Sequence, residues 1–565
     1  MNRSLTWMAA AALALQLGSV AWAADGVPMH ATLKDGVTLP MPVKTTGTTW
    51  SQRLSGPGIF VGQRAALHDA EGNIVAKARV GQGGQLTFQL PVGTKQPLAL
   101  VLFDVMGAVS VGPSTFPVQG MLAIDPAVDF GHEPWSANIS RAPGNRAHSQ
   151  YRIPALATNG RGEVVAVYDV RWHFNGDLGR GIASIDLGEN ISMDGGHTWC
   201  APRLAVDVPN VKDPRTNART ANPNGQPFAA ADLDIGDPCA VFSPKDNAYF
   251  VMGLTGGGLA AYGGPNNPNN GLALYRRPAG VAKADWKSVH PRRDNPSLAD
   301  NAVLERKIFD ALYAADAHHG DPRMETVNSG KEFCRRSRGI LQGPGHGMVT
   351  TKPHGKPGTQ DYIPAGTVVF PMQWFFETRK NWPCQSYAFA VYTSDGGKSW
   401  KSTRFVPDMS SQENSIVELD DGSWHMIAKC AKAGQRYHYR STDGLTWERT
   451  PYGVTKPSQC VQGSIVNIGK DKQGRSRYAM AYSRTGGRGE LMLYFGTDAT
   501  HDPATAANGI LWDDPSSALM IHQASTGGYS YNSLCMLKDG ILGILYEANR
   551  HIYFLREDVR NRLNH

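Results

Sequence analysis

Three short segments constrain this chain more than any bulk property does. Residues 192–199 read SMDGGHTW, residues 393–400 read TSDGGKSW and residues 441–447 read STDGLTW. Their common pattern is Ser/Thr-x-Asp-Gly-Gly-x-Ser/Thr-Trp, with the third copy one residue shorter. Asp-Gly makes a tight turn because glycine accepts positive φ. The aspartate can accept hydrogen bonds inside the turn, and the tryptophan can fold back over it. Such a unit closes a hairpin, so the copies are architectural and are not expected to do chemistry. Trp400 and Trp447 stand 47 residues apart, close to the roughly 40–50 residues of one four-stranded propeller blade. Trp199 and Trp400 stand 201 residues apart, and the stretch between them must then hold further blades and insertions.

The rest of the chain agrees with an all-β reading. Short alternating or apolar runs such as GEVVAVYDVR, NAYFVMGL, SYAFAVYTS and GILGILYEA are bounded by Gly, Asp, Asn and Pro, the pattern of strands joined by hairpins. The stretches 207–236 and 256–340 read as loop-like, the latter as a long insertion with one short helix near LERKIFDALYAADA. Residues 25–140 carry no copy of the repeat. Runs such as QLTFQLPV and LALVLFDV predict a separate small β-sandwich-like domain, with either a carbohydrate-binding or a plain accessory role, and residues 141–565 form the repeat-bearing domain.

The first residues, with Arg3, an apolar stretch from about Trp7 to Leu17 and Ala21-Trp22-Ala23, have the form of a signal peptide over about residues 1–24. The protein is expected to be secreted or periplasmic, with no stable membrane span. The formal charge of +7, from 56 Lys+Arg against 49 Asp+Glu, is not concentrated in any run. Nucleic acid is therefore not an expected partner, and an anionic substrate is allowed. Seven cysteines match no zinc spacing, and an odd count leaves one free or paired between chains.

Residues 149–156, SQYRIPAL, place an arginine inside an apolar strand just before Ile153-Pro154. Proline biases its predecessor to extended geometry and cannot donate to a ladder. Arg152 is thus expected at a strand end, held rigidly. YRIPAL is followed in order by DVRWHFNGDLGRG, SMDGGHTW, GPGHGM, VVFPM, QENSIVEL, CVQGSI, GRGELMLYF, GYSYNS and ILYEAN. This ordered set, over about residues 145–555, resembles the bacterial sialidases, or neuraminidases, of the exo-α-sialidase family. The resemblance implies a six-bladed β-propeller with its active site at the central mouth, no cofactor and no catalytic metal. It implies sialylated glycoproteins, glycolipids or oligosaccharides as substrates.

The chemistry such a substrate demands is clear. Sialic acid carries a carboxylate on its anomeric carbon, and arginine forks pair bidentately with carboxylates. By resemblance, Arg152 is the first arm of an anion clamp, braced by Glu547, and Arg488 the third, with Arg484 as a nearby competitor. At the second arm this chain departs from the family and has Lys429, which keeps the charge and loses the fork. Either Lys429 substitutes, or Arg436 reaches in, or the substrate is another ulosonic acid. An anionic nucleophile would be repelled by the substrate carboxylate, and sialidases use a tyrosine instead. GYSYNS offers Tyr529 and Tyr531, and the family's Tyr-Ser pattern favours Tyr529, with Glu413 as its base. Glu418 should face the other side of the same strand. Asp177 matches the mobile acid/base, Arg171 an arginine near the sugar's 4-position, and Asp237 shares that work. The expected activity is a retaining exo-sialidase. The alternatives are a same-fold enzyme for another ulosonic acid, a trans-sialidase, and a non-catalytic lectin or adhesin.

Overall fold

The computed structural model describes residues 150–171, 177–178, 185–196, 198–200, 203–206, 234–256, 271–293, 299–315, 337–376, 385–430, 435–451, 461–483, 490–523, 531–548 and 551–563, and before residue 124 the strands and turns within 21–22, 28–29, 31–32, 36–43, 47–55, 59–60, 64–68, 74–94, 98–102, 108–111, 114–117 and 122–123. The signal-type segment lies almost wholly outside the described residues. Contacts divide the chain into two compact units. The first is Met1–Asp125 with Asn190–Pro202 and Tyr553–Arg556, and the second is Pro126–Glu189, Arg203–Ile552 and Glu557–His565.

In the first unit, an antiparallel sheet containing Gly36–Val43, Leu98–Leu102, Arg64–His68 and Ile74–Arg79 and a second containing Ala108–Val111, Thr49–Ser55 and Gln85–Gln89 share a core. Leu67, Leu98, Leu100 and Leu102 from one sheet meet Trp50, Leu54, Leu86 and Phe88 from the other. Along Gln85–Gln89 every second residue is buried, the period of a strand with one face in the core.

The second unit is a six-bladed β-propeller. The blades begin at the inner strands Gln150–Thr158, Ile235–Ser243, Ser337–Gln342, Ser411–Glu418, Ser464–Lys470 and Asn532–Met536. The middle strands, such as Val164–Arg171, Ala248–Thr255 and Ser476–Ser483, are buried along their full length. Both faces pack on neighbouring blades, so these strands read as continuous apolar runs. Between blades 4 and 5, for instance, Ile427 meets Tyr478, Met480 and Trp512.

The repeats close blades 1, 3 and 4, between third and fourth strands. In the second copy, Asp395 accepts from the amides of Lys398 and Ser399 at 3.0 Å, and Trp400 donates to Gly397 O at 3.0 Å. Gly396 and Gly397 have φ of 74° and 90°, which explains the glycine pair. Blade 2 uses Trp286 in the same place without the aspartate, donating to Glu189 at 2.8 Å. The insertion expected over 256–340 is a correction. It carries the third strand of blade 2, Gly271–Pro278, and the helix Asn301–Ala314, whose Leu304, Ile308 and Leu312 seal blades 2 and 3. An eight-residue strand flanked by Asn, Gly and Pro has too little periodicity to stand out from loop.

Buried histidines join strands within blade 4 and, at His346, join separate blades. His346 donates from Nε2 to Ile465 O at 2.9 Å, and its Nδ1 faces the hydroxyls of Ser464 and Ser533 at 3.1 and 3.3 Å. His425 and His438 share one hydrogen bond of 3.1 Å. Burial pulls His346 down to about 4 and His425 to about 3, and holds His438 below its ordinary range. The folded chain keeps these rings neutral, whereas the unfolded chain protonates them near pH 6.5. Their contribution is therefore present above that pH and lost as pH falls. At about pH 4.5 His346 and His425 each cost about 2–3 kcal/mol. Asp169, which burial pushes up to about 6, works in the opposite direction by a similar amount. The urea midpoint, followed by tryptophan fluorescence, is expected to fall markedly between about pH 7 and pH 4.5. An unchanged or rising midpoint would contradict the neutral-ring assignment.

Candidate active site

The question raised by Arg152 is answered by the residue after it. Ile153 has φ of 52°, an outlier for a β-branched side chain. It sits in a register break between Arg152 and Ala155, because Pro154 cannot pair. The strain is held by one carboxylate. Glu547 Oε2 accepts from the Ile153 amide at 2.8 Å and from Arg152 Nε at 3.2 Å, while Oε1 accepts from Arg152 Nη2 at 3.0 Å. Both side chains are buried. Burial would lower the Arg152 pKa, but Glu547 outweighs it and the guanidinium is held above its ordinary value.

Blade 2 repeats the device. Asp237 has φ of 55° before Pro238, at a register break between Gly236 and Cys239, and its amide donates to Asp169 at 2.8 Å. Each carboxylate stands on the middle strand of the preceding blade and grips the pre-proline amide of the next. Asp169 also takes Arg171 Nε and Nη2 at 3.0 and 2.8 Å, while Arg171 Nη1 donates to Asp177 at 3.0 Å and Nη2 lies 3.8 Å from Asp237. Arg171 is fully covered, whereas the Asp177 side chain is 63% exposed. Burial and the neighbouring Asp169 push the Asp237 carboxyl up against the pull of Arg171, though 23% of that side chain reaches solvent. The sequence reading missed Asp169. Its spacing of two from Arg171 on one strand, which puts both on one face, was the available signal.

Glu413 lies in a β-bulge. Ser411 pairs with Cys430 and Asn414 with Ala428, so Gln412 and Glu413 together oppose Lys429. Bulges re-aim side chains beside active sites, and here Glu413 meets two partners. Tyr531 Oη donates to Glu413 Oε1, and Lys429 Nζ donates to Oε2 at 3.2 Å. Tyr531 thus places a phenol on Glu413, while Tyr529, the phenol expected from the sequence, lies outside the described residues, as do Arg488 and Arg484. Tyr531 is positioned by Glu547, whose amide donates to Tyr531 O at 3.0 Å, and its ring centroid lies 5.7 Å from the Arg152 guanidinium. Arg436 is opposite Lys429 in register. It stacks on Tyr482 at 4.8 Å and donates to Val461 O at 2.6 Å, which anchors blade 4 to blade 5 without a bond to Glu413. Glu418, at the far end of the strand, accepts from the Thr351 amide at 2.7 Å.

The result is a connected set of groups: Arg152, Glu547, Tyr531, Glu413 and Lys429, with Asp177 and Asp237 gathered around Arg171. A fixed arginine can take an anion, a phenol on a carboxylate can be deprotonated as it attacks, and an exposed aspartate can move a proton. Residues 354–515 match the BNR repeat-like domain. The chain is 29% identical over 437 residues to a sialidase of Clostridium perfringens, covering 76% of this chain and 94% of the relative. It is 24% identical over 414 residues to a sialidase of Bacteroides fragilis (strain YCH46), covering 72% of this chain and 62% of that longer relative. Among solved structures, a Hadza microbial sialidase aligns with TM-score 0.54 at 18% identity, covering 94% of this chain and 97% of the other. The leech intramolecular trans-sialidase aligns with TM-score 0.51 at 14% identity, covering 94% and 95%. With the six-bladed ring and its repeats, these similarities support a bacterial sialidase family for the chain.

Proposed function

We propose that the protein is an exported, retaining exo-sialidase that removes terminal sialic acid from glycoconjugates. The observation that carries this reading is the Tyr531 hydroxyl donating to Glu413 beside the Arg152 guanidinium. Arg152 takes the substrate carboxylate, and the sequence offers Arg488 as a further arm. Asp177 protonates the glycosidic oxygen as the anomeric C–O bond breaks. Tyr531 Oη forms a bond to the anomeric carbon, and its proton passes to Glu413. Asp177, now anionic, takes a proton from water as that water attacks the anomeric carbon. The tyrosyl oxygen then leaves and recovers its proton from Glu413. A neutral phenol avoids the repulsion that a carboxylate nucleophile would meet beside the substrate's own carboxylate. Export rests on the signal-type N-terminal segment.

The test is release of 4-methylumbelliferone from its N-acetylneuraminic acid glycoside, alongside hydrolysis of sialyllactose with the first-formed anomer read by NMR. Retention of the α-anomer is expected. Asp177→Ala is expected to lower kcat about 10²-fold or more on sialyllactose, whose poor leaving group needs the proton, and much less on the aryl glycoside. Equal losses on both substrates would remove Asp177 from the acid role, and no release by folded wild type would remove the sialidase reading. A product with the sugar passed to itself or to an added glycan in place of water would favour the transferase activity that the name of the leech protein carries.

A further inference from the structure

The departure at Lys429 has a structural counterpart. From the middle strand of blade 4, Lys429 Nζ donates at 3.2 Å to Glu413 Oε2, the oxygen of Glu413 that Tyr531 does not use. Both side chains are largely covered, at 18% and 17% exposure. A bulge gives two residues, Gln412 and Glu413, to the single Lys429, so the pair is set by the backbone as well as by charge. Arg436, the nearest cation across the register, is committed to Val461 O and to the Tyr482 ring.

We infer that Lys429 is a positioning residue for Glu413 and is not an arm of the substrate-carboxylate clamp. The inference rests on the sialidase reading for its kinetic part only. Lysine is a compact point charge, unlike the planar fork of arginine. A single ammonium held on Glu413 Oε2 leaves Oε1 turned toward Tyr531 and keeps the carboxylate from rotating off the phenol. It also offsets the negative charge that Glu413 brings to a site built for an anionic sugar. Lys429 therefore acts on the reaction through the carboxylate that receives the tyrosine proton, and the substrate anion is left to Arg152 and the remaining arginine.

A positioning role and a clamp role separate in kinetics and in binding. Lys429→Met is expected to lower kcat for 4-methylumbelliferyl sialoside about 10–100-fold, with KM changed less than about threefold. The affinity for 2,3-didehydro-2-deoxy-N-acetylneuraminic acid, measured calorimetrically, is expected to stay within about threefold as well. Lys429→Arg restores most of kcat because the cation still faces Glu413. A rise of about tenfold or more in KM and an equal loss of inhibitor affinity, with kcat retained, would make Lys429 a clamp arm and overturn the inference. So would an unchanged variant. The wild-type protein run in parallel reports separately on the sialidase reading. If wild type neither turns over nor binds, 3-fluorotyrosine at position 531 still decides the point. Its 19F resonance should move in Lys429→Met toward its position in Glu413→Gln, and an unmoved resonance would leave Lys429 with no hold on the Glu413–Tyr531 pair.

Discussion

Tyr531→Phe is expected to lower kcat by at least about 10³-fold while the protein folds normally and binds 2,3-didehydro-2-deoxy-N-acetylneuraminic acid within about threefold of wild type. The ring is retained, so its packing near Arg152 and its backbone bonds to Glu547 persist. Only the hydroxyl is lost, and Glu413 keeps Lys429 on its other oxygen. A change confined to the nucleophile removes bond formation without removing the carboxylate clamp, so the loss belongs in kcat. The companion measurement is Tyr529→Phe. A comparable collapse there, with Tyr531→Phe active, would return the nucleophile to Tyr529 and leave the Tyr531–Glu413 bond as structural.

That choice between two tyrosines shows where the sequence was legible. The repeats placed three blade closures because their signal is local: each Asp-Gly turn and its tryptophan fall within a stretch of eight residues or fewer. Blade 2, closed by Trp286 without the aspartate, and its third strand Gly271–Pro278 gave no such local signal. Arg152 and Glu547 were assigned by motif, and they meet although 395 residues separate them. A two-letter pattern favoured Tyr529, which lies outside the described residues, over Tyr531. The hairpin around Asp539-Gly540 held the information that brings Tyr531 to Glu547. Its register pairs Asn532 with Tyr546 and Met536 with Leu542, and extending it by one residue sets Tyr531 against Glu547. The Lys429–Glu413 contact was beyond reach of spacing alone, because it depends on a bulge that alters the register of one blade.

Glu547→Ala is expected to cost about 3–5 kcal/mol of unfolding free energy, the largest stability loss of any single change at this site. Glu547 is 1% exposed and accepts from Arg152 through both oxygens, from the Ile153 amide, and from the Tyr531 amide at 3.4 Å. Removing it leaves a buried guanidinium without its carboxylate and releases the amide that holds Ile153 at positive φ. Both are costs of the folded state alone. Urea unfolding of Glu547→Ala, Arg152→Ala and the double variant measures how the cost divides. If the penalty comes from the orphaned charge, the double variant is more stable than Glu547→Ala alone, because the unpaired cation is gone. If it comes from the Ile153 latch, the double variant is no better, since the strained amide is unsatisfied in both. A loss below about 1 kcal/mol for Glu547→Ala would mean that the Arg152 guanidinium is resolvated from the mouth. Glu547 would then be a neighbour of the clamp and not the group that fixes its direction.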